Sequence, residues 1–363
     1  MNRVVIIFLM VLQTAQLLAQ QPLPKLQSTL KKSLDKVETY IDSSTVKNMD
    51  LVYVEEPERP WAVELRTDAN ETTMKMHTDF DFADATHGGI NSTSSNGFSM
   101  SLGAWIGYRG YGFGWSKELT GGDGSTFSLS ASGRSYGVNF RIRSYNSNMP
   151  EFMPSTEDPI RVRSLFLDGY YLFNSKRFSY AAAYDQSLIQ RLSAGTPLVG
   201  AMYHHSRVNY TDGSNWDWAY YMRGVSKVKF TQVSVGAGYA YNWVPARGLL
   251  VSAQVMPMLT FYNRMYTYFY ETVNQKGQTV YEWFYDDAED DDEPLVWHAN
   301  EVEERKTSNR VNWNFDARLS VSYNWRSSYL RLYGHYNRFN YKNDEGDGRL
   351  SDWTVYASYG LRF

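Results

Sequence analysis

Val311-Asn-Trp-Asn-Phe-Asp-Ala-Arg-Leu-Ser-Val-Ser-Tyr-Asn324 carries Val, Trp, Phe, Ala, Leu, Val and Tyr at its odd positions and Asn, Asn, Asp, Arg, Ser, Ser and Asn at its even ones. Successive side chains of a strand point to opposite faces. This stretch therefore has one apolar wall and one wall of amides, hydroxyls and charges. The same period of two returns along the chain. Phe98, Met100, Leu102, Ala104, Ile106 and Tyr108 lie opposite Ser99, Ser101, Gly103 and Gly107. Tyr136, Val138, Phe140 and Ile142 oppose Gly137, Asn139, Arg141 and Arg143, and Val233, Val235, Ala237, Tyr239 and Tyr241 oppose Ser234, Gly236, Gly238 and Asn242.

A soluble sandwich also alternates, so segment length decides between the two. These runs extend over about 10 to 14 residues, the length a tilted strand needs to cross a bilayer, whereas soluble strands average about 5 to 6. Aromatic residues close the runs at Tyr108, Tyr241, Trp243, Tyr323 and Phe363, as interfacial girdles require. The predicted fold is all-β: a transmembrane antiparallel β-barrel of about 12 strands, preceded by a short N-terminal amphipathic helix.

Composition agrees. The 363 residues include no Cys, carry a net charge of −3 and are 43% hydrophobic and 16% aromatic. This excludes a disulfide or thiolate-metal scaffold, a disordered tail and a basic nucleic-acid binder. A mean hydropathy of −0.49 in so aromatic a chain is what a wall that is apolar only on alternate residues produces.

Met1-Asn2-Arg3, the apolar run Val4 to Leu12 and small Ala19 read as a signal peptide over 1–19; the run is about half the roughly 18 residues that an anchor helix needs. Leu26, Leu30, Leu34, Val37 and Ile41 recur at helical spacing between lysines, predicting one amphipathic helix from Gln21 to about Ser43. The helix could cover a barrel mouth, lie on a leaflet or pack against a partner. With the Pro57 to Pro60 linker it makes a periplasmic segment over 20–60, and 61–363 is the barrel. Strands are expected at 61–82, 97–108, 111–119, 126–133, 136–145, 162–173, 196–208, 229–243, 249–262, 310–323, 327–340 and 351–363. An even count requires 61–82 to be one long strand rather than two. The carboxyl end then faces the periplasm, with short turns at 109–110, 133–135, 244–248 and 324–326. Loops 83–96, 120–125, 146–161, 209–228, 263–309 and 341–350 fall outside. The connection 174–195 is too long for a turn and would fold into the lumen or extend beneath it. The chain ends on a strand with Tyr359, Leu361 and Phe363 at alternate positions, which resembles the assembly signal of bacterial outer-membrane barrels. The expected location is the outer membrane, with its lipid and its barrel assembly machinery as partners.

Three segments carry a family resemblance: Gly103-Ala-Trp-Ile-Gly-Tyr-Arg-Gly-Tyr-Gly-Phe-Gly-Trp115; Tyr171-Leu-Phe-Asn-Ser-Lys-Arg-Phe-Ser-Tyr180 with Gln190-Arg-Leu-Ser-Ala-Gly195; and Gly236-Ala-Gly-Tyr-Ala-Tyr-Asn-Trp-Val-Pro-Ala-Arg-Gly248. Together they resemble the family known as domain of unknown function 4421, from about Arg59 to Phe363. The resemblance implies an outer-membrane β-barrel and supplies no substrate or catalytic residues.

The lumen-facing positions include Arg141, Arg143, Asp168, Asp316, Arg318, Arg331 and His335. Charges there must be paired or hydrated, so they form either an interior ion-pair ladder or a selective lining for a small polar or anionic solute. For an enzyme, the candidate nucleophile set is Ser206 with His204 or His205, or His335 with a lumen serine. No nucleophile elbow is present, and His204 and His205 point to opposite faces as rim histidines. The acidic run Asp286 to Glu293 and the cluster Asp344 to Gly348 lack calcium-loop spacing. Neither a catalytic residue, a metal, a cofactor nor nucleic acid is expected. The leading function is a small-solute channel or narrow structural pore; the alternatives are a barrel that displays binding loops at 209–228 and 263–309, and an outer-membrane hydrolase.

Overall fold

The computed structural model describes residues 35–81, 87–95, 98–120, 124–147, 160–209, 225–273, 296–308, 311–343 and 346–363. The signal peptide, the first part of the expected helix, the acidic run Asp286 to Glu293 and Asp344-Glu345 lie outside them. A helix, α1 (35–45), comes first. The strands are β1 (Val54–Glu55), β2 (Trp61–Asp81), β3 (His87–Ser95), β4 (Ser99–Tyr108), β5 (Tyr111–Glu118), β6 (Ser125–Ser132), β7 (Tyr136–Ser147), β8 (Ile160–Leu172), β9 (Ile189–Gln190), β10 (Ala194–Asn209), β11 (Val225–Ala246), β12 (Leu249–Val273), β13 (Val296–Ser308), β14 (Asn312–Trp325), β15 (Ser328–Asn343) and β16 (Gly346–Arg362). A one-turn helix, α2 (Tyr180–Tyr184), lies between β8 and β9.

Twelve strands close on themselves in the order β2, β4, β5, β6, β7, β8, β10, β11, β12, β14, β15, β16 and back to β2, every pair antiparallel. The first and last strands meet along Leu361↔Val63 and Tyr359↔Leu65, so the barrel has no open edge. β2 is continuous through Asp68 to Asn70, as the even count requires.

Alternation determines which side chain goes where. Along β14, Asn314, Asp316, Arg318, Ser320 and Ser322 are buried in the lumen, while Trp313, Leu319, Val321 and Tyr323 stand exposed on the outer wall. β4 and β16 repeat the pattern, with Leu102 and Ile106, then Val355, Tyr359 and Leu361, facing outward.

One end of the barrel carries tight turns. Arg109 and Gly110 both have positive φ between paired Tyr108 and Tyr111, the two-residue geometry that matches strand twist; Arg326 and Gly248 occupy the same region in their turns. At the far end the strands run on. The expected loops 83–96 and 263–309 contain β3, which pairs with the end of β2 (Thr73–Asp81), and β13, which pairs with β12 from Arg264 to Val273. This corrects their reading as loops. Alternation marks the strands only as far as the barrel rim, and backbone pairing carries two-stranded extensions past it.

The connection between β8 and β10 turns inward. Ser179 caps α2 by accepting from the Ala182 N–H at 3.1 Å. Phe178, Ala181, Ala182, Ala183 and Leu188 are fully buried against Leu172, Leu198, Ala240, Leu250 and Met256 of the wall. β9 pairs with β1, and the described part of the N-terminal helix lies across the turns: Tyr108 Oη donates to Asp42 at 3.0 Å and Arg134 N donates to the Ser44 carbonyl at 2.9 Å. The described part of the helix thus packs against the turns at one end of the barrel.

Candidate functional site: the charged lumen

The inward faces of β2, β7, β8, β14, β15 and β16 bring together carboxylates and guanidinium groups that are far apart in the chain. All seven charged or titratable residues singled out in the sequence, Arg141, Arg143, Asp168, Asp316, Arg318, Arg331 and His335, lie on the lumen side. They fall into three clusters.

The first is centred on Arg318. Its Nε donates to Asp316 Oδ1 at 3.2 Å and its Nη2 to Asp168 Oδ2 at 2.9 Å, while Nη1 donates to the Tyr180 hydroxyl of α2. Asp316 also accepts from Gln254 Nε2 at 3.1 Å and meets His335 Nε2 at 2.7 Å; Asp168 accepts from Asn139 at 2.8 Å. The second is centred on Asp352, which holds Arg143 at 2.9 Å, Arg141 at 3.2 Å and the Thr72 hydroxyl at 2.8 Å. In the third, Glu64 accepts from Arg331 at 2.7 Å and from the Tyr329 hydroxyl at 2.8 Å, and Arg331 also donates to the Tyr184 carbonyl of α2. Close, multiply bonded geometry of this kind is what makes buried charge tolerable.

These contacts also fasten the inward segment. Asn242 donates to the Ser179 carbonyl at 2.9 Å, Ser320 to the Ala183 carbonyl at 2.7 Å, and Arg362 to the Gln186 carbonyl at 2.7 Å. Asp185, just past α2, accepts from the Ser187 hydroxyl at 2.6 Å and from its N–H at 3.1 Å. Burial outweighs those bonds and pushes its carboxyl up to about 6.

Between the inward segment and the Asp352 cluster lies a cavity of about 120 Å³. Trp105 forms part of its wall, in a slot that glycine leaves open: a Cβ at Gly107 or Gly112 would overlap the indole. Glu64, Arg66, Asp352, Arg362 and Trp105 belong to this interior and are missing from the sequence-derived set. The signal was available, because Glu64, Arg66 and Asp68 alternate with Val63, Leu65 and Thr67, and Asp352 with Trp353 and Val355.

The residues considered for catalysis do not assemble. Ser206 Oγ lies 3.0 Å from Ser164 Oγ, and neither buried ring nitrogen of His204 has a hydrogen-bond partner. The ring of His204 is stacked between Phe166 and Phe339, with centroids at 4.5 and 4.4 Å. This corrects its reading as a rim residue: inward strand parity and aromatic packing bury it. His205 faces the other way, 2.8 Å from the Thr231 hydroxyl. Among the described residues, no group of three His, Cys, Asp or Glu side chains is arranged to hold a metal ion.

The family model of the domain of unknown function DUF4421 matches residues 50–363. No match is found among curated proteins. Among solved structures, the outer membrane protease OmpT from Escherichia coli is similar over 85% of this chain and 97% of its own, at 7% identity and a TM-score of 0.37. A FadL homologue from Pseudomonas aeruginosa is similar over 84% and 90%, at 10% identity and a TM-score of 0.26. The β domain of the Bordetella autotransporter BrkA is similar over 82% and 99%, at 13% identity and a TM-score of 0.27. At these scores none of the three bears on what the chain does.

Proposed function

The chain belongs to the DUF4421 family, and we propose that it serves as an outer-membrane barrel with a closed lumen, a narrow structural pore rather than an open channel. Export through the 1–19 signal peptide delivers it, the assembly machinery reads the last strand through Tyr359, Leu361 and Phe363, and membrane lipid covers the outer wall. Short turns and the carboxyl end face the periplasm; the long hairpins face outward. The observation that carries the closed lumen is the inward fold of 174–193, bonded to the wall at Asn242, Ser320, Arg331 and Arg362. These wall-to-backbone bonds at the turn end support a closed bore over an open one.

Planar-bilayer recording tests this. The native chain should give no steady conductance, and shortening 180–187 to a glycine linker should produce discrete openings. Stable ohmic openings of the native chain would overturn the reading.

A second reading, surface display, draws on the strand extensions β2–β3 and β12–β13 past the barrel rim. Their removal should leave a folded, heat-modifiable barrel and abolish partner capture if display is the role.

A further inference from the structure

Arg66 breaks the pattern of the lumen. Arg141, Arg143, Arg318 and Arg331 each reach a carboxylate oxygen within 3.2 Å. Arg66 reaches none: its Nε and Nη2 are buried with no hydrogen-bond partner. Of its neighbours on the inward face of β2, Glu64 has given both oxygens to Arg331 and Tyr329, and Asp68 forms no ion pair with it, its own Oδ1 also lacking a partner. The guanidinium faces the Tyr356 ring at 5.9 Å and lines the cavity of about 120 Å³ together with Arg141, Arg318 and Arg331.

Buried guanidinium donors that no acceptor meets are costly for a fold to keep. The planar fork of a guanidinium matches two oxygens of an oxyanion. Two carboxylates also face the cavity. Asp168 is occupied by Arg318 and Asn139, and Asp185 is turned to Ser187 through Oδ1 while its Oδ2 is free. Arg141, Arg318 and Arg331 are each held by a carboxylate, at Asp352, Asp316 with Asp168, and Glu64, so Arg66 is the lining guanidinium that keeps open donors. The cavity's volume suits a tetrahedral ion with a few waters and falls well short of the roughly 300 Å³ at which pockets for larger ligands begin.

We propose that the lumen holds one small inorganic oxyanion of phosphate or sulfate size, gripped by Arg66 and framed by Arg141, Arg318 and Arg331. The site goes beyond the closed-lumen reading and does not depend on it: it satisfies the open donors of Arg66 whether or not anything crosses the membrane.

The test uses the full mature chain refolded into detergent micelles, once in chloride buffer and once in inorganic phosphate at equal ionic strength. The urea midpoint of the native chain should rise saturably with phosphate, and that of R66Q should not move. A native midpoint that ignores phosphate, or an R66Q midpoint that rises equally, overturns the site. Should R66Q fail to fold, the native chain refolded in phosphate, desalted and denatured should release about one phosphate per chain; release near zero overturns the proposal. Neither result touches the conductance that tests the closed lumen.

Discussion

Arg318 is the residue whose loss the interior tolerates least. It serves two carboxylates and the hydroxyl of Tyr180 at once. Arg318→Ala leaves buried Asp168 and Asp316 without their shared guanidinium partner, and removal of one partner from a buried ion cluster costs about 3–5 kcal/mol. Urea unfolding in micelles should show a loss of that order, and the combination of Arg318→Met with Asp316→Leu and Asp168→Leu should recover much of it. Asp185 supplies a pH prediction. Burial lifts its carboxyl from 3.8 to about 6 in the folded chain, so between those values the folded state binds more protons than the unfolded one. Its contribution to stability is therefore greatest below about pH 4 and declines as pH rises to about 6. Asp185→Asn should match the native chain at pH 4 and exceed it at pH 7.5 by on the order of 2 kcal/mol, measured as the difference in unfolding free energy at the two pH values. Which lumen residues carry charge was legible from alternation; which of them pair was not. Arg318 and Asp168 are 150 residues apart, Arg143 and Asp352 are 209 apart, and Arg331 and Glu64 are 267 apart. Such partnerships follow from strand register around a closed ring, which no local period encodes.

At the scale of the element, the strands and the inward segment differ in how they announce themselves. Each strand repeats one rule over ten or more positions, so its existence and facing survive local exceptions such as Trp105, an apolar residue at a lumen position. The segment between β8 and β10 has no such repetition. Tyr180-Ala-Ala-Ala-Tyr184 is a single helical turn, too short to show a 3.6-residue period and too short to be stable on its own. Its length alone hinted that it was no simple turn; its inward direction is set by contacts with Asn242, Ser320 and Arg331, from strands later in the chain. Because so little of its stability is local, α2 should respond sharply to its cap. Ser179→Ala removes the bond to Ala182 N, worth about 1 kcal/mol. Hydrogen exchange at 181–184 should quicken several-fold while β14 and β15 keep their protection; equal loosening of the strands would mean that the segment and the barrel open as one unit.

The whole molecule departs from the usual arrangement: its charged groups pair inside, around an apolar plug, while leucines, valines and aromatics cover much of its outer wall. Leu65, Leu319, Leu330 and Leu332 are 61%, 55%, 51% and 51% exposed, a wall that water would not tolerate over its full circumference. The closed ring of twelve strands satisfies backbone groups without solvent, the condition for residing in hydrocarbon. If lipid is the outer solvent, the cost of a charge on the wall must depend on its height along the barrel. Leu319 sits midway along β14, between Asn312 at the far end and Trp325 at the turn end, and Val311 lies just beyond the far end. Leu319→Arg should destabilise the barrel refolded into lipid vesicles by about 2–4 kcal/mol, and Val311→Arg by no more than about 1 kcal/mol. In a water-facing wall both changes would be near neutral, and both would improve solubility without detergent. Equal, small effects at the two heights, with the chain dispersed and folded in plain buffer, would make the apolar wall an interface for protein instead of lipid. A difference that grows toward mid-height identifies the surrounding medium as a bilayer.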